Sequence, residues 1–176
     1  MLYQHWKELL NLNKTIRMNK TILIGKAAAG KDHMRKVLEG RGFTYGTSYT
    51  TRPPRAGEID GQDYYFISNK DFKIFADNNF WYEYVEFNGW FYGTSHEQFK
   101  NTCNLFVMTP KGVEAINPID RKDCTIIYLD IPLTIRKERL EKRGDLNDKI
   151  QRRIDADEVD FAGFNDYDIL INNSNF

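Results

Sequence analysis

A chain of 176 residues, 41% hydrophobic and 14% aromatic, is long and apolar enough for one domain with its own core, which excludes wholesale disorder. Its 25 Lys and Arg balance 25 Asp and Glu. That balance excludes a surface built throughout to grip nucleic acid or an acidic membrane, yet it leaves room for a local basic cleft that takes a small phosphorylated ligand.

Two cysteines, Cys103 and Cys124, are too few for a disulfide framework or a zinc site and fit reduced thiols in a cytoplasmic protein. No apolar run approaches the ~18 residues of a membrane span. The first twenty residues do not read as a signal peptide, because Lys7, Glu8 and several Asn interrupt the apolar ones. Leu2, Trp6, Leu9 and Leu10 share one helical face. Their spacing predicts a short amphipathic helix within an extension over residues 1–18, packed on the body of the protein or docking a partner.

Strand and helix signals then alternate. Thr21-Ile22-Leu23-Ile24 is a short β-branched apolar run of the kind that is buried on both faces. A Gly/Ala-rich turn over Gly25 to Lys31 leads into a helix from His33 that stops at Gly40 and Gly42. Residues 46–100 break the rhythm. Rich in Tyr, Phe, Trp, Gly and charge, they predict an inserted lobe of turns and short antiparallel strands. Strands follow at Leu105–Met108 and Thr125–Leu129, with helices at Lys111–Ile116 and from Pro132 to about Arg143. A polar break at residues 143–149 separates two helices, and a last strand spans Ile169–Ile171. The alternation predicts an α/β fold, a parallel sheet with helices on both faces.

The turn Gly25-Lys26-Ala27-Ala28-Ala29-Gly30-Lys31-Asp32 fits G-x-x-x-x-G-K between a strand and a helix, the setting that a phosphate-binding P-loop requires. The glycines permit the tight turn, and the alanines keep side chains out of the concavity. Successive N–H groups and the helix N-terminus bind phosphate oxygens, and Lys31 reaches the outer phosphates. After the lysine the motif carries a metal-binding Ser or Thr, and here stands Asp32. Two readings are open for it: a Mg²⁺ ligand, direct or through water, or a cap on the helix N-terminus.

The run from Ser48 through Thr50-Thr51-Arg52, Arg55, Gly57-Glu58, Gly61 and Asp63-Tyr64 to Phe66 closely resembles the GMP-binding segment of guanylate kinases, S-x-T-T-R-x-P-R-x-G-E-x-x-G-x-D-Y-x-F. Phe80 to Thr94 resembles the family's second GMP-binding segment, and Arg139 to Gly144 resembles the arginine pair that leads into its lid. The resemblance implies a P-loop NTPase-type sheet over residues 19–176, a nucleotide-binding lobe at about 46–100 and a lid at about 143–150. It implies transfer of the γ-phosphate of ATP to GMP or dGMP with Mg²⁺, by a monomer or homodimer that binds no nucleic acid or membrane. Gly25 to Asp32 would hold ATP. Ser48, Arg52, Arg55, Tyr64 and Tyr92 would bind the acceptor phosphate, and Glu83, Thr94 and Thr109 the base. Lys31, Arg52, Arg139, Arg143 and Arg153 would stabilise charge in transfer.

This sequence also departs from the pattern. Two aspartates that the family carries at a strand end align with Val107 and Thr109, so both carboxylates are missing. A kinase acting on another nucleotide or phosphorylated small molecule is one alternative. A non-catalytic guanylate-kinase-like binding module is another, and the intact Gly25, Gly30 and Lys31 argue against it. The chain also ends soon after the last strand, where the family adds a helix; the amphipathic N-terminal segment is expected to cover that surface.

Overall fold

The computed structural model describes residues 19–144 and 147–174. The amphipathic segment predicted within residues 1–18 lies outside them. The elements run β1 (Lys20–Gly25), α1 (Lys31–Glu39), β2 (Tyr49–Thr50), β3 (Tyr65–Phe66), α2 (Asn69–Asp77), β4 (Trp81–Phe87) and β5 (Trp90–Ser95). A π-helical turn (Gln98–Thr102) precedes β6 (Leu105–Val107), α3 (Pro110–Glu114), α4 (Pro118–Arg121), β7 (Cys124–Leu129), α5 (Leu133–Lys142), α6 (Asn147–Asp160) and β8 (Ile169–Ile171).

The first sheet has the order β6-β1-β7-β8, and all its pairs are parallel. Its apolar runs are continuous because both faces are covered. On one face Ile22, Ile24, Phe106 and Ile126 meet Val113 and Ile116 around α3 and the aromatics Phe161 and Phe164 that follow α6. On the other, Leu23, Leu105, Ile127 and Leu129 meet Met34 and Leu38 of α1 and Ile131 and Ile135 around α5. Leu140, Ile150 and Ile154 pack α5 against α6 in a separate cluster.

Residues 46–100 form a second sheet, β3-β2-β5-β4. It differs from the expectation in two ways. It carries a helix, α2, capped by the Ser68 hydroxyl, which accepts from the Asp71 amide, and its β2–β3 pair is parallel. Aromatic rings fill the space beneath it: Phe72 stacks on Trp81 at 4.7 Å and on Phe91 at 4.6 Å between centroids. Tyr82 fastens this layer to the first sheet. Its ring stacks on Phe99 at 3.7 Å, and its hydroxyl donates to Asp120 at 2.8 Å. The polar break after α5 is shorter than predicted, since α6 already begins at Asn147.

Candidate active site

A cleft of about 580 Å³ opens between the two sheets and the α5–α6 pair, within the ~300–1,000 Å³ range of small-molecule sites. Its floor is the turn between β1 and α1. A Cβ on Gly25 would lie 2.8 Å from the Leu129 carbonyl oxygen, so only glycine lets the loop leave the sheet there. Ala28 and Gly30 both adopt left-handed backbone, at φ 61° and 104°. The Lys31 ammonium folds back onto the carbonyls of Gly25 and Lys26. Burial lowers its pKa, opposed first by Asp157 and then by Asp32.

Asp32 lies exposed in the first turn of α1 and lines the cleft. The N-cap position itself is Gly30, so Asp32 acts on the helix N-terminus only as an acid in the first turn, which favours the helix dipole. Its carboxylate is also a hard oxygen donor beside the phosphate loop, a donor chemistry that suits Mg²⁺ shared with substrate phosphates. Among the described residues, no group of three or more His, Cys, Asp or Glu could hold a metal without such phosphates.

Lys26 belongs to the loop through its backbone only. Its side chain turns away to Glu158 at 2.7 Å, and the residue does not line the cleft. Arg139 lines the cleft but donates to the carbonyls of Ala28 and Ala29 at 3.1 and 3.2 Å, so it braces the loop. Arg143 and Arg153 line the same wall.

The second sheet and its loops supply another set of lining residues. Arg52 is 5% exposed; it donates to Glu58 at 2.9 Å and to the Pro53 carbonyl at 2.7 Å, and its guanidinium lies 5.3 Å from the Tyr64 ring centroid. Glu58 also accepts from the Arg55 amide at 2.6 Å, so one carboxylate aims both arginines. Ser48, Tyr64 and Tyr92 line the cleft beside them. Burial pushes the Tyr64 phenol up to about 12, which keeps it a hydrogen-bond donor.

The register of β4 on β5 shifts between Trp81 and Glu83, which sets Glu83 opposite Thr94. Glu83 is 8% exposed and accepts from the Thr94 hydroxyl at 2.7 Å. Burial pushes its carboxyl up to about 7 against that hydrogen bond. Thr94 itself lies behind Glu83 and does not line the cleft. Thr109 caps α3 by accepting from the Gly112 amide at 3.2 Å, which leaves its hydroxyl proton for the cleft; Val107 stands beside it as a bare apolar wall.

Sequence reasoning gave no role to Asp157, Asp160, Lys149, Arg152, Phe87 or Trp90, all of which line the cleft. A signal for part of this set was present. Lys149, Arg153, Asp157 and Asp160 follow one another at four, four and three residues, one polar face of α6.

A phosphate-loop turn, an arginine pair and a buried carboxylate lining one cleft, with a parallel sheet that carries the loop, have the make-up of a nucleotide kinase with a P-loop NTPase-type fold. The family model described as "Guanylate kinase" matches residues 17–176. The chain belongs to the guanylate kinase family. It is 31% identical to a guanylate kinase of Thermus thermophilus over 167 residues, covering 91% of this chain and 75% of that one. It is 33% identical to a guanylate kinase of Sulfurimonas denitrificans over 163 residues, covering 88% and 79% of the two chains. The crystal structure of guanylate kinase from Anaplasma phagocytophilum shares the fold at a TM-score of 0.68 and 24% identity, covering 91% of this chain and 80% of that one.

Proposed function

We propose that this guanylate kinase family member transfers the γ-phosphate of ATP to GMP or dGMP, with Mg²⁺, giving ADP and GDP or dGDP. The buried Glu83 carboxylate carries the reading, because it lines the same cleft as the phosphate loop but comes from the second sheet. A guanine presents N1–H and a 2-amino group to it, two donors that an ionised carboxylate accepts together. Arg52, Arg55, Tyr64, Tyr92 and Ser48 then face the acceptor phosphate with charged and phenolic donors. Lys31 and the loop amides bind the phosphates of ATP.

No covalent step is needed. Residues on this cleft align the two phosphates and spread positive charge over the oxygens in transfer. Arg143 and Arg153 supply that charge from the α5–α6 wall, while Arg139 keeps the loop in shape. Asp32 would hold Mg²⁺ with phosphate oxygens; when bound, the ion neutralises charge on the phosphates. Residues at about 46–100 act as the acceptor lobe and those at about 143–150 as a lid. We place the reaction in cytoplasmic purine nucleotide metabolism, carried out by a monomer or homodimer without nucleic acid or membrane. The buried free thiols Cys103 and Cys124 suit that compartment, and no helix among the described residues is long and apolar enough to cross a membrane.

A coupled ADP-release assay across GMP, dGMP, AMP, dTMP, CMP and UMP tests this, with Lys31→Ala as the silent control. Release with GMP or dGMP well above the others is expected. Release with a different acceptor, or none in the wild type, overturns the assignment.

A further inference from the structure

Helix α6 reaches back to the phosphate loop through two consecutive acids. Asp157 is 5% exposed, and its Oδ2 accepts from the Ala27 amide at 2.8 Å. Glu158 takes the Lys26 ammonium at 2.7 Å. From the neighbouring helix, Arg139 holds the carbonyls of Ala28 and Ala29. Lys26 to Ala29 are therefore gripped from outside the loop at every residue.

Asp157 is the buried member of this set. A buried carboxylate persists only when its oxygens are matched, and here Oδ2 meets both the Ala27 amide and the Arg136 guanidinium at 3.4 Å. Arg136 is itself 2% exposed and anchored on the Ile131 carbonyl at 3.0 Å. Asp157 also lines the cleft. It thus touches the loop on one side and the nucleotide space on the other. The left-handed Ala28 follows the pinned amide directly, so the point where Asp157 acts is the point where the loop's curvature begins.

We propose that Asp157 is a positioning residue for the phosphate loop, fixing the Ala27 amide from α6 so that ATP binding at the loop also stabilises α6. The proposal rests on the ATP-site reading above. It concerns a residue that makes no transfer contact and acts through the Ala27 amide, beside the charge it sets against Lys31.

The test uses the full chain with MgATP as probe, and compares wild type, Asp157→Ala and Asp157→Asn. Asp157→Ala removes the acceptor, whereas Asp157→Asn keeps an oxygen for the Ala27 amide. Arg136 retains the Ile131 carbonyl and Glu158, at 3.8 Å, in both. Calorimetry should show Asp157→Ala binding ATP about tenfold more weakly, the low end for a charge-assisted hydrogen bond, while GMP affinity stays within about twofold. Asp157→Asn should recover most of the loss. Hydrogen exchange gives the second readout. In the wild type MgATP should slow exchange at both the loop and α6; in Asp157→Ala it should slow the loop alone. An α6 response that survives Asp157→Ala overturns the proposal, as do equal losses of ATP and GMP affinity. Loss of cooperative melting in both variants makes Asp157 a residue of the fold and overturns it too. ATP binding is read without acceptor, so a chain that failed to phosphorylate GMP would sink the functional assignment and leave this test standing.

Discussion

Glu83 shows how one residue links burial, pH and base reading. Its carboxyl, ordinarily near 4.5, titrates at about 7 in the folded chain because of burial. Between those values the folded state holds a proton that the unfolded state has released. Stability therefore falls as pH rises through that window, by roughly 3 kcal/mol in all. Glu83→Gln has nothing to titrate there. Its unfolding free energy, from denaturant melts at about pH 5 and about pH 8, should change less than that of the wild type. Guanine has the opposite requirement, because its donors need the ionised form. GMP affinity should rise about tenfold per unit as pH climbs toward 7 and level off above. The acceptor phosphate, which itself titrates near ~6, contributes a separate and lower slope. Glu83→Gln should lose the first slope and keep the second; identical profiles in the two proteins would remove Glu83 from base recognition.

Asp32 is the other single residue with a decisive measurement. Its carboxylate stands exposed in the first turn of α1 and lines the cleft, so its effect on a bound nucleotide should be electrostatic. In the proposed reading it would repel the triphosphate without Mg²⁺ and share the ion when Mg²⁺ is bound. ATP affinity should then depend steeply on Mg²⁺ in the wild type and less steeply in Asp32→Ser. Superimposable Mg²⁺ titrations would leave Asp32 with no metal role.

At the scale of elements, the loop from Thr51 to Tyr64 is organised around Glu58, which pairs with both Arg52 and Arg55. Arg52 is 5% exposed at its side chain and Arg55 45%, although both pair with the same carboxylate. Burial should rank them. Arg52→Ala should raise the KM for GMP by about ten- to a hundredfold, and Arg55→Ala by less, with the KM for ATP unchanged. Steady-state kinetics with each substrate varied in turn checks this, and parallel changes in the two KM values would contradict it. The same loop explains why so much of the site was legible in the sequence: its contacts are local, and seven residues span Arg52 to Glu58. The core strands were legible because burial on both faces leaves continuous apolar runs at Ile22, Leu105 and Ile126. Helix α2 was hidden because its buried face is little more than Phe72, within a segment otherwise rich in charge and aromatics. The two-residue strands β2 and β3 carry no periodicity at all. Asp157, Trp90 and Arg152 went unassigned for a different reason. Each gains its meaning from an element far away in the chain, which spacing along one helix or hairpin cannot reveal.

At the scale of the whole molecule, a balanced chain concentrates positive charge in one place. The cleft is lined by Lys31, Arg52, Arg55, Arg139, Arg143, Lys149, Arg152 and Arg153 against Asp32, Glu83, Asp157 and Asp160. Zero net charge overall and an excess of cations locally favour anions of nucleotide size over long polyanions. Two of the lining residues also connect opposite walls of the cleft, the second sheet and α6. The β4–β5 hairpin turns at Asn88 and Gly89, both left-handed at φ 59° and 81°, the Asn-Gly pairing that tight hairpins favour. Trp90 lies just beyond that turn, and the Arg152 guanidinium of α6 sits 5.9 Å from its ring centroid. This cation–π contact joins the second sheet to the helix that holds the phosphate loop. An exposed contact of this kind contributes about 0.5–1 kcal/mol, which is about two- to fivefold in kcat/KM if it helps hold the cleft shut during transfer. Trp90→Ala and Arg152→Ala should each lower kcat/KM for GMP by about that factor and raise ATP hydrolysis by water relative to transfer, since closure excludes water. The double variant decides whether the two act together. If they form one clasp, the double loss should equal either single loss, because the second substitution finds nothing left to break. If the double loss is the product of the two, the side chains work independently and closure does not depend on their contact.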